Sequence, residues 1–290
     1  MAITAADFNY IRGLLKERSA LLLEPGKEYL VESRLEALAR QEGFPSLRQL
    51  VENLRTHRSA ELQRKVVEAM MTHETSFFRE IRIFDLFRKT ILPQILSLRA
   101  RQRTLNLWCA ACSAGQEPYS FAILMREYFP SLRNWRVNFI ASDISTAMLT
   151  RARAGRYTQL EVNRGLPANL LVKYFQKCGA EWEVVPEIQS MVEFREINLI
   201  RPWPSLDRMD GIFLRNVLIY LDTETKKNIL GRAGRLLEKG GFVLLGAAET
   251  TTNIDDSFEP ISNGSAVYFR LKAHSAFVAS TQHSVVGREG

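Results

Sequence analysis

Residues 105–120 predict a β-strand, a loop of small residues and the start of a helix. Residues 105–109 are apolar apart from Asn106, small side chains dominate residues 110–115, and Glu117 and Pro118 open the helix. Proline suits the first turn of a helix, because the N–H that it lacks would have no partner there. This order of elements predicts an α/β sheet that binds a nucleotide-like ligand at the carboxyl end of its first strand.

The same loop limits the chemistry of that ligand. Gly115 is its only glycine, so the loop lacks the G-x-G-x-x-G pattern of a dinucleotide site. Glu117 places an acid where a pyrophosphate would need bare N–H groups. A ligand with positive charge and hydroxyls therefore fits better than one with phosphates. S-adenosyl-L-methionine, with its sulfonium, amino group and ribose, is such a ligand.

Length and composition favour an intracellular globular protein. The 290 residues suffice for one large domain, or for a main domain with a small companion. No uninterrupted apolar run approaches the roughly 18–20 residues of a membrane span, and the first residues lack a secretory signal pattern. Three cysteines cannot form a disulfide framework, which fits a reducing cytoplasm. We therefore expect a cytoplasmic protein without direct membrane insertion.

The net charge of +7 is unevenly distributed. Residues 76–110 carry seven basic and two acidic side chains, and residues 151–176 carry five and one. This excess on both sides of the loop suits an acidic macromolecular partner, although a solvated basic surface is an equally good interpretation. Nucleic acid is a weaker candidate, because the chain has no arginine-rich tail and no repeat of aromatic and basic residues.

The sequence before the first strand is helical in pattern. Apolar residues recur at spacings of three and four over residues 4–75, interrupted at Pro25-Gly26 and at residues 43–45. We predict that residues 76–98 continue as a helix, with an apolar face made of Phe77, Phe78, Ile81, Phe84, Phe87, Ile91 and Ile95.

Strands and helices alternate after Thr104. We predict strands at residues 105–109, 137–142, 211–214 and 241–247, and helices at residues 119–128, 146–154 and 226–238. A hairpin around Pro186 is predicted to pair residues 182–185 with residues 191–194, and another closes residues 258–271 around Asn263-Gly264.

Polar residues follow three further strands of this predicted sheet. Asp143 can accept both ribose hydroxyls, although it could instead cap the helix that follows. Asn198-Leu199 could border an adenine, or Asn198 could be a simple turn residue. Arg215-Asn216 follows a buried strand, where a charge needs a partner or a function.

Four segments together resemble the chemotaxis-receptor glutamate methyltransferases, the CheR family. They are His73-Glu74-Thr75-Ser76-Phe77-Phe78-Arg79-Glu80, Ser113-Ala114-Gly115-Gln116-Glu117-Pro118-Tyr119-Ser120, Ala141-Ser142-Asp143-Ile144 and Arg215-Asn216-Val217-Leu218-Ile219-Tyr220. The resemblance covers about residues 5–272. It implies a class I, Rossmann-like α/β domain that binds S-adenosyl-L-methionine, preceded by an all-helical domain and carrying a small inserted antiparallel β-subdomain.

The resemblance also implies domain limits and roles for single residues. The helical domain would span residues 1–75 and the methyltransferase domain residues 76–272, with the β-subdomain at about 174–194. The small and polar residues of 273–290 separately predict a disordered tail. The catalytic residues would be Arg79 and Tyr220. Contacts to the cofactor, and to its product S-adenosyl-L-homocysteine, would come from His73, Thr75, Arg79, Ala111, Gly115, Glu117, Asp143, Asn198, Leu199, Arg215 and Asn216.

The implied reaction forms methyl esters on glutamates of chemoreceptor cytoplasmic helices. Two positions depart from the family pattern: His73 replaces an asparagine, and Gln116 replaces the first of two acids. The β-subdomain is short, so we expect an enzyme that does not dock on a receptor's C-terminal tether peptide. The alternatives are a methyltransferase for nucleic acids or small molecules, or a non-catalytic module that binds the cofactor or a receptor.

Metal and redox chemistry are not expected. Cys109 and Cys112 form a C-x-x-C, but Cys178 stands alone and the histidines are scattered. We therefore expect no metal site. A nucleic-acid substrate is not expected either, because the Asn-Pro-Pro-aromatic segment that DNA adenine methylation uses is absent.

Overall fold

The computed structural model describes residues 3–264 and 266–272, which divide into two compact units. The first unit holds the chain up to His73 together with Tyr220–Thr225, and the second holds Glu74–Ile219 and the chain from Lys226 onward. None of the helices in the described part combines the length and apolar character needed to cross a bilayer. The predicted tail at residues 273–290 lies outside the described residues.

The first unit is helical, as its sequence pattern predicts. Its helices are α1 (Ala5–Ser19), α2 (Glu28–Gln41), α3 (Leu47–His57) and α4 (Ala60–Met70). Thr4, Ser46 and Ser59 cap α1, α3 and α4, because each side chain accepts a backbone N–H of the first turn. The apolar faces meet in a core that includes Ile11, Leu15, Val31, Leu35, Leu50 and Val66.

The prediction of a continuous helix over residues 76–98 is wrong for its first turn. Helix α5 (Ile81–Leu86) begins five residues later, and a π-helical stretch (Phe87–Ile91) joins it to α6 (Leu92–Leu98). Phe78 and Glu80 have φ angles of 49° and 61°, and left-handed residues cannot continue a right-handed helix. Phe77 and Phe78 are still buried, but they reach the core from a turn.

The second unit alternates strands and helices. Its strands are β1 (Thr104–Ala110), β2 (Arg136–Asp143), β3 (Arg156–Thr158), β4 (Phe175–Cys178), β5 (Glu181–Val184), β6 (Glu193–Glu196), β7 (Met209–Leu214), β8 (Leu237–Leu245), β9 (Phe258–Asn263) and β10 (Ala266–Leu271). The remaining helices are α7 (Gln116–Tyr128), α8 (Thr146–Ala154), α9 (Gln159–Asn163), α10 (Ala168–Tyr174), α11 (Pro186–Gln189) and α12 (Thr223–Leu236), with 3-10 turns at Pro130–Asn134 and Leu218–Tyr220.

Seven of these strands form the main sheet, in the order β6-β2-β1-β7-β8-β10-β9. The first five are parallel, and β9 and β10 close the sheet as the predicted antiparallel hairpin. Among the five parallel strands, chain order runs outward in both directions from the boundary between β1 and β7. That reversal is a topological switch point, where the carboxyl ends of open α/β sheets bind ligands. The predicted fold class, an α/β domain with a helical domain and a small antiparallel sheet, is confirmed.

The predicted pairing of residues 182–185 with residues 191–194 is wrong. The small antiparallel sheet has the order β3-β5-β4, and β6 instead joins the main sheet in parallel with β2. The hairpin turns between β4 and β5, where Gly179 has a φ of +59°. Pro186 begins α11, which returns the chain to the main sheet instead of turning a hairpin.

Aromatic side chains fill the core beneath the carboxyl end of β7. The ring of Phe213 lies 4.2 Å from that of Phe121 and 5.7 Å from that of Phe242, measured between centroids. Gly211 makes room for them, because a Cβ there would lie 2.2 Å from the Phe242 ring. Close packing of this kind tolerates little added volume.

We therefore expect Gly211→Ala to lower the free energy of unfolding by roughly 1–3 kcal/mol, the usual cost of overpacking a core. The matched control is Gly231→Ala on α12, where a Cβ would meet its nearest neighbours at an ordinary 3.8 Å. Removing a helix glycine there should raise stability by about 0.5–1 kcal/mol. Urea unfolding measures both changes. An unaltered midpoint for Gly211→Ala would contradict this packing.

Candidate active site

The loop between β1 and α7, residues 111–115 and here termed the β1 loop, has an unusual backbone. Ala111 and Ser113 have φ angles of 55° and 49°, and Gly115 has one of 91°. The left-handed conformation is costly for the two residues that are not glycine, and such strained residues concentrate at functional sites. Gly115 is also tightly packed, because a Cβ there would lie 2.9 Å from the Cβ of Ala152 on α8. The loop thus leaves no room for a larger residue at position 115.

Asp143, at the end of β2, fixes this loop. Its Oδ2 accepts the backbone N–H of Ser113 at 2.8 Å, and its Oδ1 accepts that of Ser145 at 2.9 Å. The cap of α8 is Ser145, whose hydroxyl accepts the N–H of Met148, so the helix-cap interpretation of Asp143 is wrong. Each carboxylate oxygen can accept more than one hydrogen bond. The predicted contact with ribose is compatible with this geometry and stays a prediction.

Arg215, directly after β7, is the centre of a buried charge cluster. Its side chain has no exposed surface, and it forms ion pairs with Glu117 on α7 and with Glu80. One guanidinium nitrogen, Nη2, lies 3.0 Å from the Glu80 carboxylate and also donates to the backbone carbonyl of Arg79 at 2.8 Å. We call Glu80, Glu117 and Arg215 the charge cluster. One cation between two carboxylates leaves it with a net negative charge.

Each member of the charge cluster stabilises the charged form of its neighbour. Burial alone would lower the pKa of Arg215, but the carboxylates of Glu117 and Glu80 outweigh it and raise that pKa. Burial alone would raise the pKa of Glu80. The charge of Arg215 and a hydrogen bond from Asn216 instead bring the pKa of Glu80 below its ordinary value. Both groups are therefore ionised at neutral pH.

Glu249 links the turns that follow β7 and β8. Its Oε2 accepts the N–H groups of Asn216 and Gly246, each at 2.7 Å, and its Oε1 accepts that of Ile219 at 3.2 Å. Burial raises the pKa of Glu249, although these hydrogen bonds oppose the rise. Asn216 is held in a left-handed conformation, with a φ of 57°, and its amide donates to Glu80. The turn that carries Arg215 and Asn216 is thus fixed from two sides.

Asn198 and Leu199 follow β6 in a tight turn. The side chain of Asn198 accepts the N–H of Ile200 at 3.1 Å, as the turn interpretation expects. The carbonyl of Leu199 accepts the indole N–H of Trp203 at 3.1 Å and a guanidinium N–H of Arg232 at 3.0 Å. These bonds fix the backbone at the end of β6, and the predicted border with adenine stays a prediction.

Arg79 lies in the turn before α5, outside any helix. Its guanidinium donates to the backbone carbonyl of Glu74 at 2.8 Å. The two nearby acids have other partners, since Glu74 pairs with Arg164 and Glu80 with Arg215. Among the ion pairs of the described residues, none involves Arg79. Thr75 lies half-buried in the same segment.

His73 and Tyr220 belong to the helical unit. The Nε2 of His73 lies 3.2 Å from the carbonyl oxygen of Glu68, and the carbonyl of Tyr220 accepts the N–H of Leu22 at 3.0 Å. Their predicted contacts with the cofactor and with the transferred methyl group stay predictions.

Sequence reasoning missed two residues of this site, Glu80 and Glu249. A buried arginine after β7 signals that a carboxylate partner exists, since an unpaired buried charge is very costly. That signal does not identify the partner, because Glu80 precedes Arg215 by 135 residues. In these hydrogen bonds Glu249 accepts only backbone N–H groups. Almost every residue carries such a group, so the sequence alone could not identify the partners of Glu249.

Two family models match the chain, and together they span most of it. The CheR methyltransferase SAM binding domain matches residues 73–267, and the CheR methyltransferase all-alpha domain matches residues 6–71. S-adenosyl-L-methionine is therefore the cofactor of the larger domain. Among the described residues no group of three or more His, Cys, Asp or Glu side chains is arranged to hold a metal ion.

Curated relatives match over nearly their whole length. Chemotaxis protein methyltransferase 1 of Pseudomonas aeruginosa is 39% identical over 94% of this chain and 100% of its own. Chemotaxis protein methyltransferase Cher2 of Pseudomonas putida is 37% identical, covering 92% and 98%. Among solved structures, the glycopeptide N-methyltransferase MtfA with S-adenosyl-L-homocysteine matches at 15% identity and a TM-score of 0.33, over 62% of this chain and 58% of its own. That likeness adds nothing to the family matches.

We expect Glu80→Gln to lower the free energy of unfolding at pH 7 by roughly 1–3 kcal/mol, because it weakens the pairing of a buried arginine. The pKa of Glu80 is lower in the folded chain than its ordinary 4.5. Its contribution is therefore fully present above about pH 4.5 and is lost as the pH falls through the folded pKa. Urea unfolding at pH 7 and at pH 4 should show the gap to wild type narrowing in acid.

The control for this experiment is Glu193→Gln, which removes an exposed carboxylate paired with Arg195. Surface pairs contribute about 0–1 kcal/mol, so its effect should be small. Equal losses for the two variants, or a gap that widens in acid, would contradict the stabilising role of Glu80.

Proposed function

The chain belongs to the CheR methyltransferase family, and from that premise we propose that it methylates glutamate side chains of chemoreceptor cytoplasmic helices. The products would be glutamyl methyl esters and S-adenosyl-L-homocysteine. The names of the curated relatives, chemotaxis protein methyltransferases, support this substrate class. The observation that carries the choice of a carboxylate is Arg79. Its backbone carbonyl binds Arg215 of the charge cluster, and its guanidinium donates to a backbone carbonyl and forms no ion pair in the described part of the chain.

The residues at the carboxyl edge of the sheet fit the cofactor in charge. Glu80, Glu117 and Asp143 outnumber Arg215, so the edge is anionic and suits a ligand with a sulfonium and an amino group. Two buried polar atoms, Gln116 Oε1 and Arg215 Nε, have no hydrogen-bond partner among the described residues. Buried polar atoms are normally satisfied, so atoms of this kind fit a site that its ligand completes.

Roles for the cofactor-binding residues follow from chemistry and from the family resemblance. Glu117 would meet the amino group of the methionine moiety, with Arg215 and Asn216 beside it. Asp143 would accept the ribose hydroxyls, and Asn198 and Leu199 would border the adenine. Ala111 would let the ligand approach the backbone of the β1 loop, and Gly115, Thr75 and His73 would add the remaining contacts to the cofactor.

The chemical step needs little proton handling. Bound S-adenosyl-L-methionine supplies a methyl group on a positively charged sulfur. A glutamate side chain is already ionised at neutral pH, so no general base is required to make it a nucleophile. The protein's task is to orient the carboxylate in line with the methyl group and to exclude water from it, which can contribute several kcal/mol of the barrier.

Arg79 would bind and orient the substrate carboxylate. Arg79 must bind this carboxylate only moderately, because stronger binding of the ground state alone does not accelerate the reaction. Tyr220 would donate a hydrogen bond close to the transferred methyl group. We propose that the reaction occurs in the cytoplasm, where receptor cytoplasmic helices lie.

We also propose that the enzyme acts without docking on a receptor tether peptide. The turn between β4 and β5 consists of Gly179 and Ala180, which leaves the small sheet without a long loop there. Methylation rates on receptor fragments with and without their C-terminal peptide would test this proposal. A large loss of rate on truncation would contradict it.

Tritiated S-adenosyl-L-methionine incubated with receptor cytoplasmic fragments tests the main proposal. We expect base-labile counts on the fragment, because methyl esters hydrolyse to methanol. Arg79→Ala should lower the rate by about 100-fold or more, as expected when a carboxylate loses its orienting group. The control, Arg82→Ala, removes an exposed neighbouring charge and should keep the rate near wild type. A full rate for Arg79→Ala would remove the assigned role, and counts on RNA or on a metabolite would overturn the substrate class.

A further inference from the structure

The phenol of Tyr157 reaches the β1 loop from the small antiparallel sheet. Tyr157 lies at the centre of β3 and is fully buried. Its hydroxyl donates to the backbone carbonyl of Ala114 at 2.7 Å. Ala114 lies between Ser113, whose N–H binds Asp143, and Gly115, the tightly packed glycine. One hydrogen bond therefore joins the inserted sheet to the centre of the β1 loop.

The packing around Tyr157 leaves its ring little freedom. The ring of Phe77 meets it edge-on at 4.9 Å between centroids, and Phe77 in turn meets Phe175 of β4 at 5.4 Å. A Cβ on Gly115 would lie 3.2 Å from the Tyr157 hydroxyl, so the hydroxyl also lies against that residue. The phenol thus supports two consecutive residues of the β1 loop.

The hydroxyl of Tyr157 is a permanent donor. Burial raises the pKa of this phenol well above its ordinary value, so the group keeps its proton at any pH at which the enzyme works. The methyl transfer proposed above does not use this proton. Its one evident partner, the Ala114 carbonyl, belongs to a strained loop that must hold its shape to bind a ligand.

We propose that Tyr157 is a positioning residue, which fixes the β1 loop from the small sheet in the conformation that binds S-adenosyl-L-methionine. The proposal rests on the proposed placement of the cofactor at this loop. It predicts that the small sheet, beyond any role with a substrate, sets the affinity for the cofactor.

Calorimetric titration with S-adenosyl-L-homocysteine tests this role in three variants of the full chain. Tyr157→Phe removes the hydrogen bond and keeps the ring, and should weaken binding by about 3-fold to 10-fold. Tyr174→Phe is the matched control. Its phenol is also part of the inserted segment, but it donates to Glu127 on α7 at 2.5 Å, a residue outside the β1 loop. This control should bind like wild type. Asp143→Ala tests whether the cofactor binds at this edge of the sheet, and it should weaken binding by about 10-fold or more.

Steady-state kinetics separate positioning from a general loss of structure. Tyr157→Phe should raise the KM for S-adenosyl-L-methionine by a similar factor and leave kcat at saturating cofactor near wild type. Unchanged affinity in Tyr157→Phe, or an equal loss in Tyr174→Phe, would overturn the positioning role while Asp143→Ala still confirmed the site. Unchanged affinity in Asp143→Ala would overturn the site, and with it this inference.

Hydrogen–deuterium exchange of the wild-type chain gives an answer that does not depend on the folding of any variant. Saturation with S-adenosyl-L-homocysteine should slow exchange in the peptide that contains β3 as well as in the one that contains the β1 loop. Slower exchange confined to the β1 loop would contradict a coupling through Tyr157.

Discussion

The site depends on one buried cation held between two carboxylates. Arg215 would be prohibitively costly in the interior by itself, and Glu117 or Glu80 would each be costly without it. These ion pairs join three segments of the chain, because Glu117 precedes Arg215 by 98 residues and Glu80 precedes it by 135. Because two acids share one arginine, the cluster keeps a negative charge. It fixes the backbone at this edge, and under the proposed function its remaining negative charge would attract a cationic methyl donor.

The fold makes this arrangement possible at a single edge. Reversal of strand order between β1 and β7 opens the sheet where the β1 loop and the turn after β7 begin. Two strained residues, Ser113 on one side and Asn216 on the other, are held by carboxylates that accept their backbone N–H groups. Asp143 thus adds negative charge to this edge and also holds its backbone in place.

Local patterns predicted most of the sheet and two of the buried polar residues at its carboxyl edge. The strand, loop and helix around Gly115, helix α8 and the hairpin at residues 258–271 follow from periodicity and turn chemistry, and the polar strand ends pointed to Asp143 and Arg215. The turn at residues 76–80 was missed, because its aromatic spacing also suits a helix and only tertiary contacts select the left-handed conformation. Strand partners for residues 182–185, and the roles of Glu80 and Glu249, depend on long-range pairing. The spacing of residues within one segment does not show which distant segment it will contact.

The central claim is that the cofactor lies across the carboxyl ends of the main-sheet strands, between Asp143 and the charge cluster. A crystal structure of the chain with S-adenosyl-L-homocysteine tests it most directly. The account predicts ribose hydroxyls within hydrogen-bond distance of Asp143 and the amino group of the methionine moiety beside Glu117 and Arg215. A ligand bound elsewhere, with those side chains untouched, would contradict it.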